Sequence, residues 1–231
     1  MVIIGLTGSI GMGKSTVAGM FRRMGIPVYD SDAAVHKLYA RGGRAVRPIA
    51  AAFPEAVTDG AVDRRVLSRL VVGDRAAFKK LESIVHPLVG GVRDDFLRRM
   101  ARSGAPIVVI DVPLLFEIGG DWACDAVVVV SAPPFVQRAR VLARPGMTPA
   151  KLDEILARQV PDAQKRRRAD YVVPTGQPRR RTLRALHDIV KVMRTRRGDH
   201  WPPDPLAFRM RRHARNRPRY RNDGARPGRR P

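Results

Sequence analysis

Three observations predict an α/β fold with a mostly parallel five-stranded sheet. Short apolar, largely β-branched runs recur along the chain, amphipathic helical patterns separate them, and the first run passes directly into a glycine-rich loop that opens a helix. Strands joined through helices are too far apart in sequence for hairpins. They pair in parallel, with helices covering both faces of the sheet.

Each element has its own signal. Val2 to Thr7 is an apolar run that enters glycines and reads as a buried strand. After the loop GLTGSIGMGKST, Val17, Met20, Phe21 and Met24 recur at helical spacing, and Gly25 stands where a helix takes its terminal glycine. Pro27 to Tyr29 is a second short strand, followed by Asp30, Ser31 and Asp32. Residues 33–102 read as mostly helical, with breaks at Gly42–Gly43, Pro54, Gly60 and Gly73. Ala105–Asp111 (APIVVID) and Asp125–Ser131 (DAVVVVS) are strong strands, and Asp170–Pro174 (DYVVP) is a weaker fifth. Between the last two, Phe135–Arg168 reads as helix, glycine turn and helix. Thr182–Arg194 closes as an amphipathic helix with Leu183, Leu186, Ile189, Val190 and Met193 on one side. The segment 198–231 is rich in Arg, Pro and Asn, lacks periodic apolar residues, and reads as disordered in isolation.

Composition narrows the function classes. The 231 residues suffice for one large α/β domain or a core with a smaller insert. Hydrophobic residues make up 44% and charged residues 28%, as in soluble globular proteins. The single cysteine, Cys124, excludes an intramolecular disulfide and fits a reducing cytoplasm. MVIIGL has no basic region before it and is not read as a signal peptide; APIVVIDVPLLF, the longest apolar candidate, is interrupted by Asp111, so no membrane partner is expected. The net charge of +23 implies anionic partners: phosphorylated small molecules, nucleic acid or anionic lipid. Ten arginines against three aspartates in 198–231 account for only part of it.

The loop carries the most specific chemistry. Gly8, Gly13, Lys14 and Ser15 fit the pattern G-x-x-x-x-G-K-[ST], placed between a strand and a helix as that pattern requires. Glycines allow backbone N–H groups to converge on one anion, and the helix adds its positive end. Gly13, Lys14, Ser15 and Thr16 are thus candidates to hold the phosphates of a nucleotide, Thr16 at an inner phosphate. Lys14 reaches the outer phosphates, and Ser15 is the candidate ligand for Mg²⁺.

Asp30, Asp32 and Asp111 stand at carboxyl ends of strands, where ligands of such sheets bind. They are candidates to hold a metal and its waters or to take a proton from an acceptor hydroxyl, against the ordinary role of a helix cap or turn. Glu117 reads as a weaker candidate or a surface residue. His86 precedes Pro87 and is expected to end a helix or sit half-buried in a turn; His36 is expected on a helix. Arg138, Arg140 and Arg144 form a basic cluster suited to polyphosphate, or else a solvated helix face; Arg166–Arg168 reads as a surface run.

Together these segments resemble the dephospho-CoA kinase family. The resemblance is carried by GLTGSIGMGKST, VYDSDAAVHKLY, IVHPLV at Ile84–Val89, IVVIDVPLLFE at Ile107–Glu117, and the stretch from Arg140 to Val173. It implies a P-loop kinase core (1–32, 105–135 and 169–197), a helical substrate-binding insert (33–104), a lid (136–168) and a basic tail (198–231) outside the shared core. It implies ATP-dependent phosphorylation of the 3′-hydroxyl of dephospho-CoA in the cytoplasm, with Mg²⁺. Gly11, Met12, Gly13, Lys14, Ser15 and Thr16 would wrap ATP, Asp32 would be the base, Lys14 and Arg144 would act on phosphate, Arg138 would bind ATP, and His86 and Asp111 would lie with Asp32 on the substrate side. Where many members of the family read Arg-Asp-Gly, this chain reads Arg144-Pro145-Gly146, which bears on the lid.

Two other classes remain open on the residues alone. A nucleotide or nucleoside kinase would share the loop without needing the HP and PLLFE segments. A nucleic-acid-binding protein using ATP as a switch would suit the charge, but no nucleic-acid motif is present and aromatics are only 6%. The tail is expected to bind polyanions loosely at most.

Overall fold

The computed structural model describes residues 1–202. Residues 203–231 lie outside the described residues, and so does the expectation of disorder for them. Contacts divide the chain into two compact units, one of residues 1–28 and 104 onward, the other of residues 29–103.

The first unit is built on the sheet. Its strands are β1 (Val2–Thr7), β2 (Val28–Asp30, at the junction with the second unit), and, after the second unit's short hairpin of β3 (Val57–Thr58) and β4 (Ala61–Val62), β5 (Ile107–Asp111), β6 (Ala126–Ser131) and β7 (Tyr171–Pro174). The strand order is β2-β5-β1-β6-β7. β1 pairs in parallel with β5 (Leu6 opposite Asp111) and with β6 (Leu6 opposite Val128), and β6 pairs in parallel with β7. All six residues of β1 and of β6 are buried, as expected for strands covered on both faces. From β1 the chain runs first to β2 and β5 on one side of it and then crosses to β6 and β7 on the other. The carboxyl end of β1 is therefore the switch point at which such sheets hold ligands.

The helices of this unit are α1 (Lys14–Arg23) and, beyond the second unit's α2 (Ser31–Tyr39), α3 (Val46–Ala52), α4 (Arg64–Val71) and α5 (Arg75–Arg102), the helices α6 (Pro134–Leu142), α7 (Pro149–Ala157), α8 (Asp162–Arg168) and α9 (Arg179–Thr195). Val17, Met20 and Phe21 of α1 and Leu186, Ile189, Val190 and Met193 of α9 join Val2, Ile4, Leu6 and Val128 in one apolar core. Leu183, expected on that face, is 38% exposed; Thr182 takes the buried position and donates to the Pro174 carbonyl. The stretch expected as two helices, 135–168, forms three.

The second unit has its own core of Leu38, Val46, Ile49, Phe53, Leu67 and Val71. Its long helix α5 packs against α2, α3 and α4. His86 and Pro87 lie inside α5 rather than at its end. A proline there forfeits one backbone hydrogen bond and crowds the preceding turn. Packing of Leu81, Ile84, Val85, Leu88 and Val89 on the apolar core carries the helix through it. His86 is exposed, not half-buried.

The start of the tail is ordered, contrary to the expectation for 198–231. Gly198 lies on the backbone of Met1 so closely that a Cβ would overlap the Met1 carbonyl. Asp125 ties the pieces together. Its Oδ2 accepts from the Ile3 N–H at 2.7 Å, and its Oδ1 accepts from the Asp199 N–H at 2.6 Å and lies 2.7 Å from His200 Nδ1. Burial pushes the Asp125 carboxyl up, but the bonds from His200, Ile3 and Asp199 outweigh it and hold the group below its ordinary value. A carboxyl lowered in the folded state binds fewer protons there than when unfolded. Its stabilisation is full above the ordinary carboxylate range and is lost as pH falls through the folded value. Urea-unfolding free energies measured from about pH 7 down to about pH 2 should fall on the acid side. Asp125→Asn should be less stable at neutral pH and show a shallower acid limb; an unchanged limb would remove Asp125 from this role.

Candidate active site

The loop from Gly8 to Thr16 turns from β1 into α1 at the switch point. Gly13 caps α1 at φ 87°, a left-handed conformation that side chains rarely adopt. No acidic residue stands in the first turn of α1, so the positive end of that helix is left for an external anion. Ser15 and Thr16 are exposed at that end. Lys14 Nζ lies 2.5 Å from Asp111 Oδ1, and the Asp111 side chain is only 4% exposed. The pair follows from the strand order: Asp111 ends β5, beside β1, one residue from where β1 enters the loop.

The loop is braced from four directions. Gln137 of α6 donates to the Ile10 carbonyl at 2.7 Å, and the Ile10 N–H donates to Gln159 beyond α7 at 3.2 Å. Thr175, beyond β7, donates to the Met12 carbonyl at 2.5 Å. The Met12 side chain is buried in the core, with its sulfur 3.0 Å from the Ala132 N–H, so Met12 offers only its backbone to a ligand. Arg140 bonds Thr175 through its carbonyl (2.7 Å) and hydroxyl (3.3 Å), which brings its guanidinium beside Gly13. Arg138, the arginine expected on ATP, is exposed and pairs at 3.9 Å with Asp153. Arg144 is exposed in the turn after α6, where Gly146 takes φ 72°.

The other candidates belong to the 29–103 unit. Asp30 caps α2, accepting from the Ala33 N–H at 3.0 Å. Asp32 is exposed in the first turn of α2. Asp32 and His86 both belong to the 29–103 unit.

Sequence reasoning missed a buried ion pair in the first unit. Lys165 is fully buried, and its Nζ lies 2.8 Å from Glu117 Oε1, which also accepts from the Val160 N–H at 2.9 Å. Glu117, expected as a surface residue or a weak candidate, is instead the link between the end of β5 and α8. Leu115 and Phe116 seat it by burying themselves in front of it. Asp162 of α8 accepts from Ser131 at the end of β6. The only sequence signal was the apolar PLLF before Glu117. Lys165 was hidden at the head of the KRRR run. Removing one member of a buried pair strands the other charge, so Lys165→Met should destabilise the protein by about 3–5 kcal/mol. Adding Glu117→Leu should recover most of that loss in urea unfolding; no recovery would mean that the pair is not the unit of stability.

Among the described residues no helix is long and apolar enough to cross a membrane, and no group of His, Cys, Asp and Glu is arranged to hold a metal by itself. Ser15 and Asp111 are oxygen donors of the kind Mg²⁺ takes alongside phosphate and water, so the donor set fits that ion without a cage of protein ligands.

The arrangement matches known proteins. The family model described as dephospho-CoA kinase matches residues 2–178. The dephospho-CoA kinase of Paramagnetospirillum magneticum is 59% identical over 194 residues, covering 84% of this chain and 92% of that protein. That of Rhodopseudomonas palustris is 56% identical over 200 residues, covering 85% of this chain and all of its own length. A crystal structure of a Thermus thermophilus protein superposes with a TM-score of 0.70 at 38% identity, covering 83% of this chain and 97% of that one. The Campylobacter jejuni dephospho-CoA kinase, at 17% identity and a TM-score of 0.56 over 83% of this chain and 96% of its own, shares the fold. With the phosphate loop, the Lys14–Asp111 pair and the parallel sheet in place, the extent of these matches shows that the chain belongs to the dephospho-CoA kinase family.

Proposed function

We propose that the chain transfers the γ-phosphoryl group of ATP to the 3′-hydroxyl of dephospho-CoA by direct in-line displacement. The family assigns it kinase activity at the final step of coenzyme A synthesis. The observation that carries the site reading is the phosphate loop at the carboxyl end of β1, with Lys14 held on Asp111. The 3′-oxygen attacks the γ-phosphorus, the bond to the β–γ bridging oxygen breaks, ADP leaves, and the hydroxyl proton passes to a carboxylate. Asp32 is our candidate for that carboxylate.

Such a transfer leaves little covalent chemistry to the protein, whose work is positioning and charge stabilisation. The loop N–H groups and Lys14 hold the β- and γ-phosphates. Arg140 is placed beside Gly13 to meet the same charge, and Arg144 is carried by a turn able to reach it from the lid. When bound, Mg²⁺ would neutralise phosphate charge, and Ser15 and Asp111 are the residues that would hold it. The unit 29–103 would carry the dephospho-CoA side, with His86 exposed on α5, and 136–168 would serve as lid. We place the reaction in the cytoplasm, consistent with a sequence that holds one cysteine, the buried Cys124.

ADP release measured across acceptors tests the reading. Dephospho-CoA should be turned over far faster than nucleosides, nucleotides or shikimate. Absence of activity on dephospho-CoA, with activity on another hydroxyl acceptor, would move the chain to a different substrate.

A further inference from the structure

We propose that the outer face of α9 binds the phosphodiester backbone of single-stranded nucleic acid. Arg180, Arg184, His187, Lys191 and Arg194 follow one another at alternating intervals of four and three, which sets them in one line along the helix. All five are exposed. At 1.5 Å per residue the line is about 21 Å long, enough to meet several successive phosphates. Arg179, Arg181, Arg196 and Arg197 flank it, and Asp188 is the one carboxylate in 179–197. Among the described residues no ion pair neutralises any of these arginines or Lys191.

This patterning works against the helix itself. Arginines fill the first turn of α9, where no acidic residue stands and where cations oppose the helix dipole. Like charges spaced four apart repel along the stripe. A bound polyanion removes both penalties. The opposite face, Thr182, Leu186, Ile189, Val190 and Met193, is buried in the core, so α9 has no free apolar face to lay into a lipid surface. The charges of the stripe and its flanks are mostly arginine, with Lys191 the one lysine in 179–197. The guanidinium fork pairs with phosphate and stacks on bases, a chemistry suited to nucleic acid without sequence readout.

The surface leads away from the kinase site. α9 descends to Gly198, packed on Met1 at the amino end of β1, whereas the phosphate loop lies at the carboxyl end of that strand. Binding along Arg184–Arg194 therefore leaves the phosphate site open, and the proposal does not rest on the acceptor assigned above.

The test is fluorescence anisotropy of the full chain with a labelled mixed-sequence RNA of about 20 nucleotides, between about 50 and 200 mM salt. The unaltered chain should bind with a steep salt dependence. The triple variant Arg184→Gln, Lys191→Gln, Arg194→Gln should bind roughly tenfold more weakly, with the log–log salt slope reduced by about 2, or 0.7 for each lost phosphate contact. Its turnover of ATP with the acceptor should stay within about twofold, which also reports that it is folded. A flat salt dependence of the unaltered chain overturns the proposal without any variant. So does an unchanged slope in an active triple variant, or tighter retention by vesicles of phosphatidylcholine and phosphatidylserine than by RNA.

Discussion

The Lys14→Ala variant should lose about 10²–10³-fold in kcat, the scale on which removing one preorganised charge from a transition state is felt. Lys14 is the one lysine of the loop and the proposed contact to the transferred group, and its partner Asp111 is 4% exposed, so the pair also belongs to the local packing. Two readouts separate these roles. Lys14→Met preserves the stem of the side chain and should lose turnover as severely as alanine, with a smaller loss of stability in urea. Single-turnover kinetics should place the loss in the chemical step rather than in ATP binding alone. Near-normal turnover in either variant would dissociate the loop from catalysis.

The Asp32→Asn variant should lose about 10²–10⁴-fold in kcat with little change in the KM for ATP, the signature of a lost general base. Asparagine keeps the shape and the polar contacts of the exposed first turn of α2 but cannot accept the hydroxyl proton. Asp30, the neighbouring carboxylate, is the helix cap, so Asp30→Asn should be nearly silent in turnover because asparagine caps as well. If Asp32→Asn raised the KM for ATP and spared kcat, Asp32 would belong to the nucleotide site and the base would have to be sought elsewhere.

What could be read from the sequence was whatever a local pattern enforces. The buried strands were legible because both faces are covered, so their residues are apolar up to the polar residue at each carboxyl end, Thr7, Asp111 and Ser131. The phosphate loop was legible because its geometry demands glycine and lysine at fixed spacing. Pro87 misled because a proline weighs heavily within a few residues, whereas the apolar row that carries α5 past it depends on three other helices. Lys165 and Glu117 were illegible for the same reason: charge normally marks surface, and only the meeting of the end of β5 with α8 makes this pair internal. The residues alone did not rank Arg138 against Arg140, and only the resemblance singled out Arg138, since two residues' difference in a helix swings the side chain by more than half a turn. Thr175, which fixes Arg140, lies beyond another strand altogether.

The strand order also dictates when the two units can be completed as the chain is made. Val2 pairs with Ile107 and Ile4 with Ala126, so the central strand, emerging first, must wait for more than a hundred residues before either neighbour exists. The unit 29–103 is continuous and closes on contacts among near neighbours in sequence. It can therefore be whole while β1 is still an unpaired apolar ribbon. Loop closure across that interval is the slow, non-local step, and its cost rises only weakly with length. During synthesis at about 5–20 residues per second, β1 stays exposed for several seconds. The hazard for newly made chains thus falls on VIIGLT, the segment that later seats the phosphate loop.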